Sequence, residues 1–173
     1  MSPTDVLISE AAIRTRVVEI GRQIERDYAG QELLLVGILK GAAMFMMDLI
    51  RVVDLPLAID FMAVSSYGAA TESSGVVRIL KDLDSAIGGR HVLLIEDIVD
   101  SGLTIAYVLD MLRRRGPASL KVAALLVKER AAGAGLRTDY VGFTIGNEFV
   151  VGYGLDLNEH YRNLPYIGFL PAP

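Results

Sequence analysis

Three acidic side chains, Glu96, Asp97 and Asp100, stand close together near the middle of the chain. The short loop Ser101-Gly102-Leu103-Thr104 follows them, and a helical pattern begins directly after it. A loop of this kind at the start of a helix presents free backbone N–H groups and the positive end of the helix dipole, which together bind phosphate. Because carboxylates repel a phosphate, we do not expect these acids to contact it. We expect them to face a sugar diol, a magnesium ion and a proton that is transferred during a reaction.

Apolar segments on both sides of this motif predict the elements that position it. Segment 92–95 is typical of a buried parallel strand, and its end carries the two adjacent acids. Segment 104–115 has helical spacing, and Gly116-Pro117 stops the helix. Further helices are predicted from a cap at Ser9 to near Gly30 and over 42–51, and further strands over 33–39, 57–64, 76–80, 120–127 and 140–145.

The alternation of apolar strands with helices predicts an α/β fold with a mainly parallel, doubly wound sheet. In such sheets, ligands bind beyond the carboxyl ends of the strands. Lys40, segment 97–104 and Lys128 all fall at predicted strand ends. We therefore expect them to share one site.

Composition excludes several classes of protein. The 173 residues, 52% of them hydrophobic, predict one domain with a substantial core. The longest apolar stretch, 33–47, contains Lys40 and Gly41 and is too short for a bilayer, and the first residues lack a secretory signal pattern. The net charge of −4 argues against a general nucleic-acid surface, and the lack of cysteine is compatible with the cytosol. We expect a cytoplasmic protein that binds neither membrane nor nucleic acid.

Motifs along nearly the whole chain resemble those of the hypoxanthine-guanine phosphoribosyltransferase family. Their order and spacing, rather than any one tripeptide, carry the resemblance. The matching motifs are Leu39-Lys40-Gly41, Ser65-Ser66-Tyr67-Gly68, Ile79-Leu80-Lys81-Asp82-Leu83-Asp84, the 92–104 segment, Leu126-Val127-Lys128, Phe149-Val150-Val151-Gly152-Tyr153-Gly154-Leu155-Asp156 and Tyr161-Arg162.

The resemblance implies both a fold and a reaction. The fold is that of the type I phosphoribosyltransferases: one domain over 1–173, with a core over about 30–145 and a small hood from the N- and C-terminal segments. The reaction is transfer of the 5-phosphoribosyl group from 5-phosphoribosyl-1-pyrophosphate (PRPP) to hypoxanthine and/or guanine, which yields IMP or GMP and pyrophosphate. Magnesium is the implied cofactor, and a homodimer or homotetramer is the implied assembly.

The resemblance also implies which residues bind PRPP. Pyrophosphate would contact the backbone of Lys40 and Gly41, where relatives can have a cis peptide bond, and the guanidinium of Arg162. The loop of Ser101, Gly102, Leu103 and Thr104 would hold the 5'-phosphate. Glu96 and Asp97 would hold the ribose hydroxyls and magnesium, to which Asp156 is also linked.

The remaining assignments concern the purine and the proton. Asp100 is predicted to be the general base toward purine N7. Phe149 would stack on the purine, the backbone of Val150 would read its edge, and Lys128 would donate to its 6-oxo group. A lid over 65–75, with Ser66 and Tyr67 at its base, would also contact substrate and exclude water from the cation-like sugar.

Simpler interpretations exist for single residues. Lys40-Gly41 could form an ordinary turn, Ser101 and Thr104 could cap a helix, Phe149 could be core, and Lys128 could be solvated. Two other functions fit part of the pattern: a PRPP-sensing regulator that binds RNA or DNA without catalysis, and a phosphoacceptor receiver domain. The receiver gives no role to the 101–104 loop, and the acidic net charge disfavours the regulator. The choice among hypoxanthine, guanine and xanthine stays open.

Overall fold

The computed structural model of the protein describes residues 5–66, 77–132 and 137–170. Helices and strands alternate along most of this length, as the sequence predicts. In chain order the elements are β1 (Asp5–Ile8), α1 (Glu10–Asp27), β2 (Leu33–Leu39), α2 (Ala42–Ile50), β3 (Leu57–Ser66), β4 (Val77–Lys81), β5 (His91–Val99), α3 (Leu103–Arg113), β6 (Ser119–Lys128), α4 (Glu129–Ala132), β7 (Tyr140–Ile145), β8 (Val150–Val151) and β9 (Ile167–Phe169).

The larger sheet has the strand order β4-β3-β2-β5-β6-β7, and its neighbours are parallel except for the β3–β4 pair. Both of its faces are buried, which explains the unbroken apolar runs. Along β2, Leu33 and Leu35 pack into one core cluster with α1 and α2, whereas Leu34 and Val36 pack into a second cluster with α3. The predicted mainly parallel, doubly wound sheet is confirmed.

The helices follow their predicted signals. The Ser9 hydroxyl accepts a hydrogen bond from the Ala12 N–H at 3.2 Å and caps α1. Helix α3 begins after Gly102, which has a φ of +79°, and ends before Gly116, which has a φ of +69°. Such angles favour glycine because it has no Cβ. No helix in the described residues is long and apolar enough to span a membrane.

Strand β5 is longer than the sequence predicts. The prediction that it ends at Ile95, with the acids beyond it, is wrong. Glu96 pairs with Ala124, and Val99 pairs with Val127, so parallel pairing with β6 continues past the acids. The ladder overrides the polar character of Glu96 and Asp97 because it satisfies their backbone groups. The acid pair is therefore held in a regular strand.

A small sheet of β1, β9 and β8, in that antiparallel order, joins the two ends of the chain. The chain after β8 reaches back to helix α2, where the Tyr153 hydroxyl donates to Asp48 at 2.6 Å. The next residue, Gly154, has a φ of +98°, and a Cβ added there would lie 2.2 Å from the carbonyl oxygen of Gly41. The small sheet thus brings a loop directly against the end of β2.

Candidate active site

The carboxyl ends of three adjacent strands bring the predicted site residues to one edge of the larger sheet. Lys40 follows β2, Asp100 follows β5, and Lys128 is the last residue of β6. Because β2, β5 and β6 are parallel neighbours, these ends lie side by side. The structure therefore places the residues of three separate motifs at one edge.

Asp100 lies against two cations. Its Oδ1 accepts a hydrogen bond from Arg130 Nε at 2.6 Å, and Arg130 Nη2 contacts the same oxygen. Lys128 Nζ lies 3.5 Å from that oxygen, and the Lys128 side chain is only 9% exposed. A buried lysine needs such a partner, because an isolated charge is costly to remove from water. The structure thus couples the candidate base to the candidate purine-reading lysine.

Asp97 packs closely against the backbone of Gly41. A Cβ added to Gly41 would lie 1.5 Å from Asp97 Oδ2 and 2.5 Å from Asp97 Cγ. The other carboxylate oxygen of Asp97 accepts the Ile98 N–H at 2.7 Å, which fixes the side chain. The preceding Leu39–Lys40 peptide bond is cis, as the family resemblance implies. Only glycine at position 41 leaves room for this carboxylate.

The adjacent carboxyl groups of Glu96 and Asp97 both have raised pKa values. Burial, and then the charge of Asp97, raise the pKa of Glu96 well above its usual range. Burial also raises the pKa of Asp97, although hydrogen bonds to its carboxylate and the more distant Arg162 guanidinium oppose that rise. Within the described residues, no cation lies within ion-pair distance of either carboxylate. Two such oxygen donors suit a hard cation brought in from outside.

These acids do not form a closed metal cage by themselves. Across 5–66, 77–132 and 137–170, no three histidine, cysteine, aspartate or glutamate side chains gather closely enough to hold a metal ion. Asp156, the third predicted ligand, instead binds Arg162 Nη2 at 2.8 Å through Oδ1 and the Glu159 N–H at 2.8 Å through Oδ2. Magnesium commonly takes one or two carboxylates and completes its shell with water and substrate oxygens. The pair at Glu96 and Asp97 fits that pattern.

Arg162 and Lys40 converge on one carboxylate oxygen. Lys40 Nζ lies 3.0 Å from Glu159 Oε2, and Arg162 Nη2 lies 3.3 Å from the same atom. The Lys40 ammonium is the main cause that lowers the pKa of Glu159. Arg162 is also fixed by a 2.6 Å bond from Nη1 to the carbonyl of Gly154. Arg162, which is predicted to bind pyrophosphate through its guanidinium, therefore shares an internal anion with the side chain of Lys40, whose backbone is predicted to bind the same group.

The 101–104 loop leaves helix donors available. Gly102 is the N-cap of α3 and makes no side-chain capping bond, while Ser101 Oγ is 3.4 Å from the Leu103 N–H. The first N–H groups of any helix lack intrahelical acceptors. Ser101 and Leu103 are exposed to solvent, and Thr104 is partly exposed. The arrangement can hold an anion, as the phosphate prediction requires.

The predicted purine-binding residues differ in burial. Phe149 is 50% exposed, so it is not an ordinary core residue, whereas Val150 lies in β8 and is 6% exposed. Ser66 ends β3. Tyr67 and the rest of the predicted lid up to residue 75 lie outside the described residues. A half-exposed aromatic ring offers the flat apolar surface on which a purine could stack.

Comparison with known proteins shows the family of the chain. The family model described as a phosphoribosyl transferase domain matches residues 7–158. Hypoxanthine-guanine phosphoribosyltransferase from Mycobacterium avium is 54% identical over 171 residues, with 95% of this chain and 84% of the relative covered. The chain belongs to the hypoxanthine-guanine phosphoribosyltransferase family. The family member from Bacillus subtilis is 51% identical over 165 residues, with 95% and 92% covered.

Solved structures of this phosphoribosyltransferase family have the same fold. The crystal structure of a hypoxanthine-guanine phosphoribosyltransferase from Bacillus anthracis, with a HEPES molecule in its active site, matches with a TM-score of 0.93 at 44% identity. The match covers 98% of this chain and all of that one. The type I phosphoribosyltransferase fold predicted from the motifs is therefore confirmed.

Two residues of the site escaped the family motifs. Arg130 stands two positions after Lys128, and Glu159 stands three positions before Arg162. Arg130 pairs with Asp100, and Glu159 pairs with Lys40. In both pairs, the partner is a predicted site residue of opposite charge from a distant part of the chain. Their separations of 30 and 119 residues leave no local pattern that could have shown these contacts.

Proposed function

We propose that the protein transfers the 5-phosphoribosyl group from PRPP to hypoxanthine and/or guanine, and releases IMP or GMP together with pyrophosphate. The observation that carries this proposal is the position of Asp100. It lies between the donor-rich start of α3 and the buried Lys128 ammonium. The groups that we assign to phosphate binding, to removal of the proton and to recognition of a 6-oxo group therefore lie next to one another, as phosphoribosyl transfer to an oxopurine requires.

The reaction defines what each group has to do. The bond between the anomeric carbon and pyrophosphate breaks, so positive charge grows on the ribose and negative charge grows on the leaving group. N9 of the purine bonds to that carbon, and the proton on N7 passes to Asp100. The backbone of Lys40 and Gly41 and the guanidinium of Arg162 stabilise the departing pyrophosphate. The start of α3 holds the 5'-phosphate and fixes the sugar.

We include magnesium in the proposal as the cofactor held by Glu96 and Asp97, with Asp156 linked to it. A bound magnesium ion supplies positive charge for the ribose hydroxyls and the pyrophosphate oxygens. The protein's part is to keep the pair of carboxylates together on β5. The assignment is supported by the position of two adjacent carboxylates on β5 that pair with no protein cation among the described residues, because such oxygen donors suit a hard divalent cation.

Lys128 provides a test of base selection. An ammonium donates to the 6-oxo group of hypoxanthine or guanine but meets another donor on adenine. Because a glutamine amide can also accept, Lys128→Gln is expected to reduce the preference for hypoxanthine over adenine by about tenfold or more. The measurement is the ratio of kcat/KM for the two bases. Lys121→Gln, at the opposite end of β6, should leave this ratio unchanged, and an unchanged ratio in Lys128→Gln would overturn the assigned role.

The activity itself is tested with PRPP, magnesium and four purines: hypoxanthine, guanine, xanthine and adenine. We expect nucleotide and pyrophosphate to form in equal amounts with at least one of the first two bases. Binding of PRPP without turnover for any base would point instead to the regulatory alternative. Absence of both binding and turnover would remove the phosphoribosyltransferase proposal.

We further propose that the enzyme works in the cytosol as a homodimer or homotetramer. We also propose that residues 65–75 close over the substrates, with Ser66 and Tyr67 in contact with them. The whole of residues 1–173 is proposed to act as one domain. The family resemblance supports these points. Light scattering after size-exclusion chromatography would decide the assembly, since a monomer would contradict it.

A further inference from the structure

Three side-chain nitrogen atoms lie within hydrogen-bond distance of one carboxylate oxygen of Glu159. Oε2 lies 3.0 Å from Lys40 Nζ, 3.3 Å from Arg162 Nη2 and 3.4 Å from Arg162 Nε. Arg162 is the cation that the proposed function assigns to pyrophosphate, and Lys40 belongs to the loop whose backbone is assigned to the same group. An oxyanion with several nitrogen donors around it imitates the way a phosphate oxygen would be held.

The contacts made by Glu159 differ from those that hold a structural ion pair. The Glu159 and Lys40 side chains are 64% and 66% exposed, so either can rotate into water. Exposed pairs of this kind are weak. Among the described residues, the Glu159 carboxylate has no other hydrogen-bonding partner. Within the part of the chain that the structure describes, only these exposed contacts to Lys40 and Arg162 hold the carboxylate in place.

Arg162 is held independently of Glu159. Its guanidinium donates to the Gly154 carbonyl at 2.6 Å and pairs with Asp156 at 2.8 Å, and both contacts are shorter than those to Glu159. The backbone of Glu159 is also fixed, because its N–H donates to Asp156 at 2.8 Å. The arginine can thus exchange one oxygen for another without moving, while the Glu159 side chain swings aside.

We propose that Glu159 is an internal competitor of pyrophosphate. Its carboxylate neutralises Lys40 and Arg162 when the leaving-group site is free, is displaced when PRPP binds, and returns to the same cations as pyrophosphate departs. This inference rests on the proposed function and adds a positioning residue to it. The consequence is weaker ground-state binding of PRPP and easier release of pyrophosphate.

The test is a direct binding measurement with Glu159→Gln. The amide keeps the size of the side chain and removes its charge, so the dissociation constant of magnesium pyrophosphate should fall by about three- to tenfold. The KM for PRPP should fall in the same direction, whereas the KM for the purine should not change. The Glu159 carboxylate is exposed, so salt should screen its charge. The difference in pyrophosphate affinity between the variant and the wild type should therefore become smaller at about 1 M salt.

A matched control variant separates the effect of the local charge at position 159 from the effect of the protein's net charge. Glu32→Gln makes the same change in net charge beside Arg90, at the amino-terminal end of β2 and far from Lys40. It should leave pyrophosphate binding unchanged. Glu159→Ala serves as a second variant and should act in the same direction as the glutamine variant, with thermal unfolding used to check that each variant is folded.

The outcomes distinguish this inference from the proposed function. If the wild type forms nucleotide but Glu159→Gln binds pyrophosphate no more tightly, the competitor role is wrong and the enzyme proposal stands. If the wild type binds pyrophosphate and Glu159→Gln binds it more tightly, but no nucleotide forms, the enzyme proposal fails and the competitor role stands. Weaker binding by both variants would show that Glu159 supports the site instead.

Discussion

Asp100→Asn is expected to lower kcat by about 10²–10⁴-fold, the usual contribution of a general base. Asparagine has nearly the same shape but cannot take the proton from purine N7. Binding of PRPP should persist, because the 5'-phosphate relies on backbone donors at the start of α3. Steady-state kinetics with hypoxanthine, together with calorimetric titration of PRPP, separate the two effects.

The matched control for Asp100→Asn is Asp110→Asn. Asp110 lies on α3 and pairs with Arg114 at 2.7 Å, on an exposed part of the helix. Loss of that surface pair should not change kcat. A wild-type rate in Asp100→Asn would mean that another group removes the proton. A low rate accompanied by equally weak PRPP binding would mean that Asp100 supports binding of the sugar rather than proton transfer.

Gly41→Ala should reduce kcat/KM for PRPP by about 10²-fold or more. The new methyl group would overlap the Asp97 carboxylate, which must then rotate and lose its bond from the Ile98 N–H. A displacement of about 1 Å in a positioning group is enough for such a loss. Both kinetics and titration of magnesium PRPP should show it.

Gly41→Ala should affect function more than folding. Gly41 has a φ of −62°, which alanine adopts without strain. The thermal unfolding midpoint should therefore stay close to that of the wild type. Gly88→Ala is the matched control, because its Cβ would meet a neighbour only at 3.5 Å. Normal PRPP binding by Gly41→Ala would contradict the close packing of Asp97 on this loop.

The sequence predicts the central sheet well because burial on both faces leaves a strong pattern. The predicted bounds of β2 and β7 match those observed, and the buried apolar run of β2 continues almost to its last residue. The predicted end of β5 failed at Glu96, where pairing with β6 outweighs the polarity of the side chains. The residues around Glu96 do not indicate that its strand partner, Ala124, lies 28 residues further along the chain.

The small sheet could not be predicted strand by strand. Strands β8 and β9 contain two and three residues, and β1 pairs with β9 across almost the whole chain. Such short segments carry no usable periodicity. The family motifs indicate which residues belong to the site, but they do not show that Arg130 pairs with Asp100 or that Glu159 pairs with Lys40. Those pairs depend on the folded arrangement of distant loops.

The close packing of Gly41 against Asp97, and of Gly154 against the Gly41 carbonyl, affects how a saturation library of this gene should be interpreted. Both positions should tolerate almost no substitution, although neither has a side chain that could touch a ligand. At these two positions, selection scores would measure steric clearance: between Gly41 and the Asp97 carboxylate, and between Gly154 and the main chain at Gly41. A map of intolerant positions would therefore outline a region larger than the ligand footprint, because Gly154 would appear on it through packing, and Gly41 through packing as well as through its proposed backbone contact to pyrophosphate.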